Sequence, residues 1–230
     1  MKRFWKAAEV VETDGAWAAE LDGKPLRTPA RQPLIVPTEA LGRAIAGEWD
    51  AVEDKVDLGA MPLTGLANAA IDRVEPDRQA FAAGLAKYGE GDLACYRAEG
   101  PSELRERQES RWDELLAWGR RRFDVDFRTT CGIVHVDQPP ATVQQLAHAV
   151  TALDAFRLAG LAPLVTIGGS LVAALAVLEG ALTAAEAWNA VTIDEQWQLE
   201  QWGSDTEAET ALANRRRDFM AAASFLKLLD

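Results

Sequence analysis

Over the first forty residues, apolar and polar positions alternate. Trp17, Ala19 and Leu21 are separated by less apolar neighbours, the two-residue period of a half-buried strand. The pairs Asp14-Gly15 and Asp22-Gly23 lie on either side of that run. Asp-Gly tolerates the positive φ of tight hairpin turns, so the pattern predicts a β meander. Pro25, Pro29, Pro33 and Pro37 then restrict any further strands to short edge pieces such as Leu34-Ile35-Val36. After Pro37 the period lengthens. Leu41, Ile45, Trp49 and Val52 recur at helical spacing behind Thr38, which is placed to cap. Further helices are predicted over about 62–74, 77–88 and 101–122, the last with Leu104, Gln108, Trp112, Leu115, Leu116 and Gly119 along one side. Residues 92–98 and 131–137 read as strands returning to the sheet. From Thr142 onward everything reads as helix, with capping-box spacing at Thr142/Gln145, Thr183/Glu186 and Ser204/Glu207.

This order of elements gives an α+β fold. A small N-terminal β-rich domain over residues 1–60, joined by the strands near 92–98 and 131–137, precedes a larger helical domain over 61–230. The uncharged stretch Leu158–Leu178 is long enough to cross a bilayer. Pro163 and Gly168-Gly169 interrupt it, and no basic cluster anchors either end, so a helix buried at the centre of the α-domain is the better account.

Charge changes the picture more than composition does. A formal net charge of −12 opposes bulk attraction to nucleic acid or anionic lipid, and the short runs Arg120–Arg122 and Arg215–Arg217 do not reverse it. At helical spacing those runs read as solvated faces or local ion-pair partners. Cys95 and Cys131 are the only cysteines, too few for a disulfide framework, which makes a reducing compartment the default. The start Met1-Lys2-Arg3-Phe4-Trp5-Lys6 has no apolar stretch behind its charges, so the expected location is cytoplasmic or follows processing.

Candidate chemistry is sparse. His135 and His148 have no neighbouring metal ligands at the required spacing, so a structural role is expected for both and no metal or cofactor is called for. Asp194 and Glu195, adjacent on a helix, point to different sides and do not form a dyad by themselves. No nucleophile–base constellation is visible, which weighs against an enzyme.

The unusual segment runs from Leu158 through Asn214, which holds no Lys, Arg or His but eight acids. On a helical wheel at about 100° per residue, Trp188, Val191, Glu195, Leu199 and Trp202 share one arc, and Ile193, Trp197 and Glu200 the opposite one. A helix apolar on two faces is buried on both, or buried on one and offered to a partner on the other. Each face carries a glutamate that needs a cation or donors if buried. Arginines of the same chain, such as Arg97, Arg111 or Arg157, are one source. A partner's basic group is the other, in a surface anchored by tryptophan as binding hot spots are. An enzyme using Glu195 or Asp205 as acid or base in an interdomain cleft is the alternative.

Ordered blocks along the chain resemble the Atp-twelve family of ATP synthase assembly chaperones. They are Arg3-Phe4-Trp5-Lys6, Leu21-Asp22-Gly23-Lys24-Pro25-Leu26-Arg27-Thr28-Pro29, Glu48-Trp49-Asp50, Met61-Pro62-Leu63-Thr64 with Asn68 and Ile71-Asp72, and Asp92-Leu93 with Cys95-Tyr96-Arg97. Gln108 with Trp112-Asp113 and Trp118 follows, then Asp194-Glu195-Gln196-Trp197-Gln198 with Glu200, Trp202-Gly203 and Asp205. The resemblance implies a chaperone, without cofactor or hydrolysis, that transiently holds the free α subunit of the catalytic head until the β subunit replaces it. It implies a β domain followed by a helical one; the free chain is expected to be a monomer. It ties function to the C-terminal acidic motif, matched here by Glu195 and Glu200. With Trp197, Trp202 and Asp205 these form the expected partner-binding set. The mitochondrial members' targeting extension has no counterpart here, so a bacterial cytoplasmic protein is the simpler assignment.

Overall fold

Residues 2–203 and 206–230 are described by the computed structural model of the chain. The two Asp-Gly pairs do what their φ tolerance predicts. Asp14 and Gly15 adopt φ of 52° and 78° and turn β1 (Ala8–Thr13) into β2 (Ala16–Leu21), which pair antiparallel from Ala8↔Leu21 to Thr13↔Ala16. Asp22 and Gly23, at 50° and 75°, turn β2 into β3 (Lys24–Pro25), and β4 (Ile35–Val36) also pairs with β2. The Asp22 carboxylate accepts the N–H groups of Ala7 and Lys6, which hold its pKa below the usual range.

Helix α1 (Glu39–Asp50) lies on this sheet, its Leu41, Ile45 and Trp49 buried and its first turn capped by Thr38, whose Oγ accepts from Leu41 N at 3.2 Å. A side chain at Gly42 would put its Cβ 3.1 Å from Val10 and 3.3 Å from Trp17, so glycine lets helix and sheet approach this closely without pushing those side chains aside. Glu48 reaches the next helix, α2 (Pro62–Ala69), accepting from the Leu63 and Thr64 N–H groups at 2.8 Å and from the Thr64 hydroxyl at 2.7 Å. It thereby satisfies free donors at a helix start that has no cap of its own.

The chain divides into two compact units. One comprises Met1–Arg78 with Asp154–Gly160 and Ser224–Asp230, the other Gln79–Leu153 with Leu161–Ala223. The first therefore includes the beginning of α6 (Ala155–Gly168) and the end of α10 (Thr206–Lys227) as well as the sheet. Within it Phe156 stacks on Phe225, Arg157 pairs with Asp154 and Asp230, and Thr38 donates to the Leu228 carbonyl at 2.5 Å.

The second unit is built around α4 (Ser102–Phe123), which buries Leu104, Gln108, Trp112, Leu115, Leu116 and Gly119, the side predicted from its spacing. The helices α3 (Arg78–Ala86), α5 (Pro140–Thr151), α7 (Leu171–Leu178), α8 (Ala184–Val191) and α9 (Ile193–Trp202) accompany it. The uncharged stretch is two helices, α6 and α7, separated at Gly169 (φ 67°) and restarted by Ser170, whose Oγ accepts from Ala173 N. Among the described residues no helix is long and apolar enough to cross a membrane. Asp92, fully buried, accepts from Ala94 N at 3.0 Å and from Val172 N at 2.9 Å in the first turn of α7. Burial pushes its pKa up despite these bonds.

Three further sequence expectations change. The strands expected at 92–98 and 131–137 shrink to β5 (Tyr96–Arg97) and β6 (Thr130–Cys131), which pair parallel with each other and not with the N-terminal sheet. Thr142 is no cap, because Pro140 already begins α5. The Thr142 hydroxyl is buried and donates to the Asp126 carbonyl at 2.6 Å. The third concerns the wheel over 186–202, described next; of the remaining capping pairs, Thr183/Glu186 forms and Ser204 lies outside the described residues.

Candidate partner-binding surface

Helix α8 starts at a complete capping box. The Thr183 Oγ accepts from Glu186 N at 3.2 Å and the Glu186 carboxylate accepts from Thr183 N at 2.8 Å. It stops at Thr192, whose φ of −115° and ψ of 22° leave helical geometry and whose hydroxyl donates back to the Trp188 carbonyl at 2.7 Å. The stretch 186–202 is thus two helices, and the single two-faced wheel does not apply. Trp188, Val191, Ile193 and Trp197 are buried, Leu199 is half-buried, and Trp202 stands 78% exposed. The two tryptophans of the expected set therefore separate. Trp197, 8% exposed, belongs to the core, its ring 4.8 Å beneath the Arg107 guanidinium, whereas Trp202 projects from the end of α9.

The two glutamates have same-chain arginines, but not those expected. Glu195 pairs with Arg215 of α10 at 2.7 Å, and both Glu200 carboxylate oxygens accept from one Arg107 nitrogen of α4, at 2.7 and 2.9 Å. Arg97 is buried against Asp113, and Arg157 serves Asp154 and Asp230. Neither glutamate is a buried charge: Glu195 is half-exposed, and the Glu200 side chain retains 48% of its exposure. Pairs this exposed contribute about 0–1 kcal/mol each, so they position carboxylates more than they stabilise the fold. Asp205 lies outside the described residues.

The remaining face of α9, formed by Asp194, Trp197, Gln198 and Trp202, lines a groove of about 570 Å³. Its other wall is made by residues 96–101, the first turns of α4 and the tip of the loop after β6. Buried Gln108 joins the walls, since its Oε1 accepts from Ala98 N at 2.7 Å and its Nε2 donates to Asp194 at 2.6 Å. Trp112 below it donates to the Ala190 carbonyl, fixing α4 to the end of α8. Arg97 stacks over Trp112 at 5.2 Å and spends its donors on the Ala94 carbonyl and Asp113.

Ile133, 99% exposed, and Val134 stand at the loop tip, and sequence reading assigned them to a strand. The Asp137-Gln138-Pro139-Pro140 run just beyond is the signal for a loop there. His135 holds this loop, its Nδ1 3.1 Å from the Tyr96 hydroxyl and its Nε2 3.2 Å from Asp137.

Nucleophilic chemistry finds little support in these residues. Burial pushes the Cys95 thiol up to about 12, so it carries no appreciable thiolate at neutral pH. Among the described residues no group of three or more His, Cys, Asp and Glu side chains is arranged to hold a metal ion. What the arrangement offers is an aromatic and aliphatic surface, open to solvent and edged by carboxylates.

Known proteins of the same shape exist. The sequence profile of the family described as ATP12 chaperone protein matches residues 2–120. The crystal structure of Atp12 from Paracoccus denitrificans is 43% identical, covers 100% of this chain and 98% of its own, and superposes with a TM-score of 0.95. A lysine-for-aspartate variant of Paracoccus denitrificans Atp12p has the same TM-score and coverage at 42% identity. The mitochondrial protein atp12 of Schizosaccharomyces pombe is 24% identical over 98% of this chain and 81% of its own length.

Proposed function

This chain belongs to the ATP12 chaperone protein family, and from that premise we propose that it is an ATP synthase assembly chaperone for the free α subunit of the catalytic head. It binds that subunit transiently, shields the exposed interface and releases it to the β subunit. It works without a cofactor, as a monomer when free, in the bacterial cytoplasm. The observation that carries the reading is Trp202, a large aromatic side chain held in solvent at the end of the helix that carries Glu195 and Glu200. An unassembled subunit exposes apolar surface that invites aggregation, and a few aromatic anchors with complementary charge suffice to cover it reversibly. In this reading Trp202 is the anchor and Trp197 supports it from the core. Glu195 and Glu200, with Asp205 after them, face basic groups of the client.

The test is binding of the isolated α subunit to the full chain and to Trp202→Ala, Glu195→Lys and Glu200→Lys. All three side chains retain solvent exposure, so the variants are expected to keep the unfolding midpoint close to that of the parent. Trp202→Ala is expected to weaken binding by about 2 kcal/mol or more, as truncation of a hot-spot tryptophan does. A parent chain that does not retain the α subunit overturns the subunit assignment. Retention unchanged by all three variants overturns the assignment of these residues.

A further inference from the structure

The carboxylates expected to meet a partner, Glu195 and Glu200, are each engaged by an arginine of the same chain. The groove on the other face of α9 differs. The charged groups that line it are Arg97, Glu99 and Asp194. Arg97 is 5% exposed and its charge is met by Asp113 at 2.6 Å, so it offers the groove no free cation. Asp194 accepts only a neutral amide donor from Gln108, and among the described residues neither Glu99 nor Asp194 forms an ion pair with Lys or Arg. Arg105 lies nearby but donates to the carbonyls of Ala98 and Glu99. The groove therefore carries two carboxylates without an ion-pair partner between apolar walls, with the Arg105 guanidinium held on the backbone beside one of them. Ile133 and Trp202, the most exposed large apolar side chains of this unit, both line it, with Leu104 and Trp197 beneath.

We infer that this groove is the recognition site for a client segment in which an apolar side chain is flanked by Lys or Arg. The apolar side chain seats between Ile133 and Trp202, and the basic group meets Glu99 and Asp194. Exposed aliphatic and aromatic groups are covered by such a segment, and two unmatched carboxylates select against an acidic one, which would add like charge to a confined site. The chain's overall charge of −12 favours the same choice at longer range. The inference rests on the chaperone reading only in taking the occupant to be part of a client protein.

The experiment uses the full chain and short synthetic peptides that share a central Leu-Leu pair and differ only in flanks of Lys, Ser or Glu. The Lys-flanked peptide is expected to bind at least about tenfold more tightly than the Glu-flanked one. Glu99 is exposed, so Glu99→Lys is expected to fold. Combined with Asp194→Asn, which keeps an acceptor for Gln108, it is expected to abolish or reverse that preference. Ile133→Ser is expected to weaken all three peptides by a similar factor. Equal binding of the three peptides, or a preference untouched by the double variant, overturns the inference. The isolated α subunit separates the two readings. If the parent chain and the groove variants retain it equally, the groove inference falls while the chaperone reading stands. If the peptides behave as expected and the parent does not retain the subunit, the groove stands and the subunit assignment falls.

Discussion

At the scale of single residues, burial and partner decide what a side chain does, and neither is written in residue type. Glu195 and Glu200 were identifiable as unusual because no cation lies between Leu158 and Asn214. Their partners Arg215 and Arg107 lie beyond that span, and no local spacing rule connects residues 107 and 200. Asp92 is the reverse case. As one acid in the Asp92-Leu93 block it carried no sign of burial, yet it is fully enclosed and ties the starts of two helical segments through Ala94 N and Val172 N. Asp92→Ala leaves a buried N–H at Val172 without its acceptor and is expected to cost about 1–3 kcal/mol. The pH dependence follows from the raised pKa. The unfolded chain releases this proton near the ordinary aspartate value and the folded chain only at higher pH. Between the two the folded state binds more proton, so the stability that this group contributes falls as pH rises. Urea unfolding of parent and variant at several pH values should therefore show the widest gap in acid, narrowing as pH rises through the folded value.

Elements were the most legible level. Periodicity placed α1 and α4 almost to their ends, because Thr38 and the Leu104–Gly119 stripe are local signals. The Asp-Gly turns placed β1 and β2 for the same reason. Where local signals are ambiguous, tertiary packing decides the outcome. Cys131-Gly132-Ile133-Val134 has strand-like composition but makes only a two-residue ladder, and its apolar residues face solvent. Thr192 is β-branched and neutral, so nothing in its surroundings announced that it would end one helix and begin another. Close approach is equally hidden in sequence. Gly160 of α6 would, with a Cβ, sit 2.6 Å from one Leu226 carbon of α10, 2.8 Å from another and 3.0 Å from Phe225, all buried. Gly160→Ala ordinarily favours a helix, yet here it is expected to lower stability by about 1–3 kcal/mol through overpacking. Thermal or denaturant unfolding reads this directly, and a stabilised variant would show that the two helices can part to admit a methyl group.

For the whole molecule, net charge was the most informative quantity available from sequence, and it excluded partners better than it named one. With −12 on the chain and Glu99 and Asp194 lining the same groove as Trp202, association with a basic partner surface should be electrostatically steered. Stopped-flow mixing with the isolated α subunit is expected to give an association rate that drops by about tenfold or more from low to high salt, with a smaller change in dissociation. A salt-independent association rate would argue for an apolar encounter instead. The discontinuity of the first unit was not legible, since no linker marks it and that unit draws on three separate stretches. That discontinuity bears on how the protein is made. The sheet and α1 are translated early, but Gly160, Phe225, Leu226 and Leu228, which pack or bond within the same unit, follow only after most of the chain has been synthesised. The N-terminal unit therefore cannot close its core on the ribosome until translation is nearly complete, so a member of a chaperone family spends its own synthesis with an unfinished core.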